Sequence, residues 1–201
     1  METTLNATAQ NVAQKAAFSS MEPLVAIKTS EYATIERTGR MELYLLRHGI
    51  AEDQSPTNQD PDRALTKEGI ARLRDVLVTA GKAGVAPSLI LTSPYVRARQ
   101  TAELAREILK VEQPLVETRA MTPMAHPSEA WDEIRALRRE PSILLASHEP
   151  LMGQLLGFLL GAVNMQVEFK KGAMAHVEVA SFGPVPRAVL KWFLTAKLSR
   201  V

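Results

Sequence analysis

The sequence predicts an α/β fold, a three-layer sandwich in which a mainly parallel sheet carries helices on both faces. Three observations lead there. From Glu42 onward, short apolar runs alternate with segments of helical period in the order βαβα. One of the runs, "SILLAS", is long enough and apolar enough to be a buried central strand. From Val163 the pattern turns β-rich, which adds strands that close one side of the sheet.

The elements follow in order. "ELYLLR" (42–47) reads as the first strand, and Pro56 to Ala64 as a polar loop. "TKEGIARLRDVLVTAG" is a helix with Thr66 as N-cap; Ile70, Leu73, Val76 and Leu77 share one face, and Gly81 stands near its end. "SLILTS" (88–93) is the second strand. "PYVRARQTAELAREILK" is the second helix, with Ser93 as cap and Pro94 at the first helical position. "PLVETR" (114–119) reads as a strand, Ser128 to Arg139 as a helix, "SILLAS" (142–147) as the buried strand and "PLMGQLLGFLLG" (150–161) as a helix. "MQVEF", "AMAHVEVASF" and "RAVLKWFL" then read as strands joined by turns containing Gly172, Gly183 and Pro184.

Composition bounds the function. The chain has 201 residues, 46% hydrophobic and 23% charged, enough for one ordinary domain with its own core. That domain is expected over 41–201, after a disordered extension covering Met1 to Arg40. Lys+Arg 24 against Asp+Glu 22 is a small excess, not the basic block that tracks nucleic acid, so no nucleic-acid partner is expected. No run approaches the roughly 18 apolar residues of a membrane helix, and the first residues lack a secretory signal, so no membrane association is expected. The absence of cysteine excludes disulfides, thiolate metal sites and a cysteine nucleophile, and fits a reducing, cytoplasmic setting.

Three strand ends converge on one site. Arg47-His48-Gly49 follows the first strand, Ser93 to Arg97 the second, and Ser147-His148 closes the strand at 142–147. Open parallel sheets bind ligands beyond the carboxyl ends of their strands. Arg47, His48, Arg97 and His148 are thereby brought to one edge. Arg97 falls in the first turn of a helix, where free N–H groups and the macrodipole already disfavour a cation. An anion resolves that conflict, and a phosphate held by two arginines, two imidazoles and a helix N-terminus fits best.

Other residues carry weaker signals. His126 in a loop and His176 in an alternating strand read as solvated or partly packed. Lys170-Lys171-Gly172 reads as a charged turn, with a rim role for Lys171 as the alternative. Glu52 and Asp53 are near enough to act as acids, or form a solvated loop. No G-x-x-x-x-G-K-[ST], G-x-G-x-x-G, H-E-x-x-H or G-x-S-x-G occurs. Two histidines on distant strand ends make a poor metal site, so no metal and no cofactor are expected.

At these residues the chain resembles the histidine phosphatase superfamily. "LYLLRHGIAED" matches its R-H-G box, "LTSPYVRARQTAE" its second box, and "LLASHEPLMGQLLGFLLG" its third, which carries the second histidine. "RALTKEG" and the ending "KKGAMAHVEV...LKWFL" are similar to the SixA type of phosphohistidine phosphatase. The resemblance covers about Met41 to Ala196 and implies a phosphoglycerate mutase-like architecture. It implies His48 as a nucleophile that forms a phosphohistidine intermediate. It also implies Arg47, Arg97 and His148 as ligands of the phosphoryl oxygens that stabilise charge in the transition state. In SixA-like chains an acidic residue often precedes Leu-x-Pro; here Ala120 precedes Met121-Thr122-Pro123. Glu117, Glu52 and His126 stand as alternative proton donors.

The expected function is a metal-independent phosphohistidine phosphatase acting on a histidine-phosphorylated signalling or phosphotransfer protein. The chain lacks a long insertion that could form a lid, and an open site suits a protein-borne phosphohistidine, whereas small metabolites call for closure. The alternatives are a phosphatase of small phosphate monoesters or pyrophosphates, and a phospho-ligand binding module without turnover.

Overall fold

The computed structural model describes residues 39–200. The expected N-terminal extension lies outside the described residues except for Gly39 and Arg40; Arg40 pairs with Glu178 at 3.2 Å. Six strands form one sheet: β1 (Met41–Arg47), β2 (Leu89–Thr92), β3 (Val116–Glu117), β4 (Ser142–Ser147), β5 (Met174–Ser181) and β6 (Arg187–Leu194), in the order β3-β2-β4-β1-β5-β6. The first four in that order run parallel, and β5 and β6 add antiparallel to β1. The helices are α1 (Lys67–Lys82), α2 (Val96–Ile108), α3 (Pro127–Ala136) and α4 (Leu151–Leu159).

Alternation along the central strands explains the layers. Leu43 and Leu45 of β1, with Ile143 and Leu145 of β4, pack with Trp131 and Ile134 of α3 and Leu155 and Leu159 of α4. Their neighbours Tyr44, Leu46, Leu144 and Ala146 point to the opposite face and join Leu73, Val76 and Leu77 of α1 and Ala102 and Ala105 of α2. Apolar residues at consecutive positions are what a strand covered on both faces requires. The three-layer α/β sandwich expected from the sequence is the observed fold.

Several boundaries differ, each for a local reason. Thr66 caps α1, its hydroxyl accepting from the Gly69 N–H at 2.8 Å, but Ile70 is 39% exposed. Gly69 takes the contact instead: a Cβ there would lie 2.1 Å from the Ile50 carbonyl oxygen, so only glycine lets α1 approach the loop after β1. α1 passes Gly81, and the left-handed residue that ends the segment is Gly84, at φ +87°.

The helix expected from Pro94 begins at Val96 with Tyr95 as its cap. Ser93 stands two residues before that cap: its hydroxyl accepts from the Tyr95 N–H at 3.3 Å, as a residue capping the turn would, while its own N–H donates to the Ala146 carbonyl at 3.1 Å. β3 is only Val116–Glu117 at the sheet edge. α3 starts at Pro127, where His126 and Glu129 make a reciprocal capping box, and it ends at Ala136, short of Arg139. "MQVEF" forms no strand; the Phe169 and Lys170 N–H groups donate to Val167 and Glu168 two residues back, closing tight turns in place of a ladder.

Candidate active site

The carboxyl ends of β1, β2 and β4 lie at one edge. Arg47 pairs in register with Ser147, and Thr92 with Ala146, so the residues that follow β2 and β4 emerge beside those that follow β1. His48 continues β1, its N–H donating to the Ser147 carbonyl at 2.9 Å. His148 follows β4 directly, and Arg97 stands second in α2. The structure therefore brings together the four residues that strand-end placement singled out.

The contacts of His48 define its tautomer. The Nδ1 of His48 lies 2.7 Å from the Gly49 carbonyl oxygen, which can only accept, so Nδ1 carries the proton and Nε2 bears the lone pair. The Nε–H of Arg97 donates to that Nε2 at 3.4 Å. The two imidazoles face each other with centroids 5.0 Å apart. His148 bonds the Ser93 hydroxyl through Nε2 at 2.8 Å, and the Tyr95 ring packs edge-on against it. Arg97 lies over the Tyr95 ring, 5.1 Å from its centroid.

Burial and charge keep both imidazoles neutral. His48 is 6% exposed and His148 1% exposed. Desolvation pushes the His48 pKa down to about 3, and Arg97, Arg47 and Lys171 add to it against the Gly49 hydrogen bond. Desolvation likewise pushes His148 down to about 2, with help from His48 and Arg97. Burial also lowers Arg47, which Glu149 partly counters. The carboxyl of Glu149 is itself raised by burial, although Arg47 favours its charged form.

Two buried nitrogens of the site have no hydrogen-bond partner among the described residues: Arg47 Nε and His148 Nδ1. Such groups are costly unless something satisfies them. A tetrahedral oxyanion between Arg47, Arg97 and the two imidazoles would do so, and its charge offsets the repulsion between the guanidiniums. The remaining Arg47 contact, from Nη1 to the Phe169 carbonyl at 2.6 Å, fixes the direction of its side chain.

Sequence reasoning missed Asp60. It lies in a 3-10 turn (Asp60–Asp62) within the loop read only as polar, and it grips Arg97 twice. The Asp60 carbonyl accepts from Nη1 at 2.7 Å, and its carboxylate from Nη2 at 2.9 Å. Burial pushes the Asp60 carboxyl up, but hydrogen bonds from Arg63 and Arg97 outweigh it and hold it below the ordinary range. The available signal was position: this loop joins β1 to α1 and leaves the same sheet edge. Ser93, read as a cap, is a second omission, since it orients His148.

Two of the alternative proton donors have other partners, and the third faces solvent. Glu117 faces Arg99 at 3.9 Å, His126 caps α3, and the side chain of Glu52 is exposed. His176 is partly buried, paired with Glu42 and stacked on Tyr44, a packed histidine as expected. Lys170-Lys171-Gly172 is a turn. Gly172, at φ +74°, donates its N–H to the carbonyls of both Arg47 and His48, which ties the turn to the site.

Comparison with known proteins agrees with this geometry. Residues 43–122 match the model of the histidine phosphatase superfamily (branch 1). An uncharacterized protein of Picosynechococcus is 36% identical over 116 residues, covering 57% of this chain and 70% of that one. A phosphohistidine phosphatase SixA homolog of Haemophilus influenzae is 33% identical over 137 residues, covering 62% of this chain and 80% of that one. The solved structure of the protein histidine phosphatase SixA complexed with tungstate superposes with a TM-score of 0.71 at 25% identity, covering 78% of this chain and 98% of that one. With the R-H-G box at the end of β1 and the second histidine at the end of β4, the chain belongs to the histidine phosphatase superfamily, and within it is SixA-like.

Proposed function

We propose that the protein is a cytoplasmic, metal-independent phosphohistidine phosphatase that acts through His48 on a histidine-phosphorylated signalling or phosphotransfer protein. The observation that carries this reading is the neutral His48 imidazole, Nδ1 tied to Gly49 and Nε2 held only by the long bond from Arg97, beside two guanidiniums and a second neutral imidazole. The tungstate bound in the SixA structure is an oxyanion of phosphate-like geometry and supports a phosphoryl site.

The reaction follows from that arrangement. The phosphoryl group sits against Arg47, Arg97 and His148, which neutralise its charge and leave phosphorus open to Nε2 of His48. A P–N bond to His48 forms as the P–N bond to the substrate imidazole breaks. Once protonated on its other nitrogen, the substrate imidazole departs as a neutral group, so the step makes little demand on a protein acid. Ionised Asp60 suits a different task, holding Arg97 in place. Water then attacks the phosphohistidine, its proton passes to solvent, inorganic phosphate leaves, and Nε2 regains its lone pair.

The short segment between α2 and β4 supports a protein substrate. It holds only β3, a 3-10 turn and the ten-residue α3, so this segment supplies no helical lid. The test is phosphate release from a phosphohistidine-bearing protein, run beside an aryl phosphate with chelator throughout. Faster release from phosphohistidine is expected; preference for the aryl phosphate would move the assignment to small monoesters.

A further inference from the structure

We infer that a basic cleft beside the phosphoryl site docks acidic side chains flanking the phosphohistidine of the carrier protein, an inference that rests on the phosphohistidine reading above. The cleft, of about 600 Å³, opens between α1, the 168–172 turn and the segment after β6. Its charged lining is Arg47, Arg72, Lys170, Lys171 and Lys197 against the single carboxylate of Glu168. The whole chain carries a net charge of only +2, so this concentration is local and not a reflection of a generally basic surface.

Two of the cations are already paired, Lys170 with Glu168 at 3.3 Å and Arg72 with Glu68. Lys171 and Lys197 are exposed and have no ion pair among the described residues. Arg47, Arg97 and His148 already offer donors to the phosphoryl oxygens, and Lys171 is near enough to add its charge at His48. Both lysines are unpaired positive charge at the rim of the cleft.

The cleft and the site are continuous. Arg47 lines both, and the Gly172 N–H bonds to Arg47 and His48 tie the lysine turn to the nucleophile's own backbone. An anion held in the cleft is thus a neighbour of the phosphorus, as a carboxylate a few residues from a phosphohistidine would be. Three of the cations are lysines, compact hydrated charges on flexible stems. They suit mobile carboxylates at a wet rim better than a fixed bidentate ligand.

Two synthetic phosphohistidine peptides test this, one flanked by Asp and Glu and the other by Asn and Gln at the same positions. The enzyme is expected to favour the acidic peptide by about tenfold in kcat/KM, and the ratio should shrink as salt rises. In the Lys171→Gln/Lys197→Gln double variant, which removes the two unpaired cations and leaves the Lys170–Glu168 pair intact, the ratio should fall to about one. Equal rates on the two peptides by the unmodified enzyme, or a preference that survives in the double variant, would overturn the docking role alone. Failure to turn over either peptide while an aryl phosphate is hydrolysed would instead sink the phosphohistidine reading, and the docking role with it.

Discussion

Arg97 donates through Nε to Nε2 of His48 at 3.4 Å, while the other ring nitrogen of His48 is committed to Gly49 at 2.7 Å. The short bond fixes the tautomer, and the long one leaves the lone pair only weakly engaged. A guanidinium and a nucleophile are therefore in register before any phosphate arrives. Such preorganisation is where phosphoryl transfer gains most of its rate.

Replacing His48 with alanine removes the Nε2 that the proposed reaction uses to accept the phosphoryl group. Covalent phosphate incorporation should vanish, and kcat/KM should fall by roughly 10⁴-fold or more. Rapid-quench labelling with radioactive substrate measures both. Labelled protein in the His48→Ala variant would remove His48 as the nucleophile.

Arg97→Ala should lower kcat/KM by roughly 10²- to 10³-fold, the usual loss for one preorganised donor to a developing oxyanion. Arg97→Lys should recover little, because a single ammonium cannot serve Asp60 through two nitrogens and His48 through a third. Steady-state kinetics of the two variants on one phosphohistidine substrate decide the matter. Near-normal rates in the lysine variant would show that charge alone, and not the fork of donors, is what Arg97 supplies.

How much of this was legible in sequence depends on what each residue does. The β1 and β4 runs, and the four pocket residues at strand ends, were readable because a parallel sheet converts order along the chain into position at one edge. Ile70 was misjudged because period alone cannot know that Gly69 would make the close approach to Ile50. Ser-Pro signals a helix start, and the Ser93 hydroxyl does accept from the Tyr95 N–H, but its partner His148 follows β4 and only the fold brings the two together. Asp60 was invisible as chemistry because its partner Arg97 lies 37 residues away, and only the fold brings them together.

Asp60 competes with any oxyanion for the Nη atoms of Arg97 and places a negative charge beside the phosphoryl site. Both effects oppose anion binding, so Asp60→Asn should tighten inhibition by tungstate or phosphate by roughly three- to tenfold. Loosening Arg97 should at the same time lower kcat, separating binding from turnover. Inhibition constants and kcat for the variant give both numbers. Weaker tungstate inhibition would mean that Asp60 chiefly orients Arg97 for the anion.

Burying two neutral histidines makes stability depend on pH with a definite sign. Both have folded pKa values far below the ordinary 6.5, so below pH 6.5 the unfolded chain binds protons that the folded chain refuses. Stability is therefore fully present above about pH 6.5 and is lost as pH falls from there toward about 3. At pH 5 each histidine costs about 2 kcal/mol relative to pH 7, from about 1.4 kcal/mol per pH unit below the unfolded pKa. Urea unfolding at pH 5 and pH 7 should show this loss, and His148→Asn should remove about half of it. Carboxylates elsewhere titrate alike in both proteins and cancel in the difference. An identical pH slope in the variant would mean that His148 takes up its proton in the folded state.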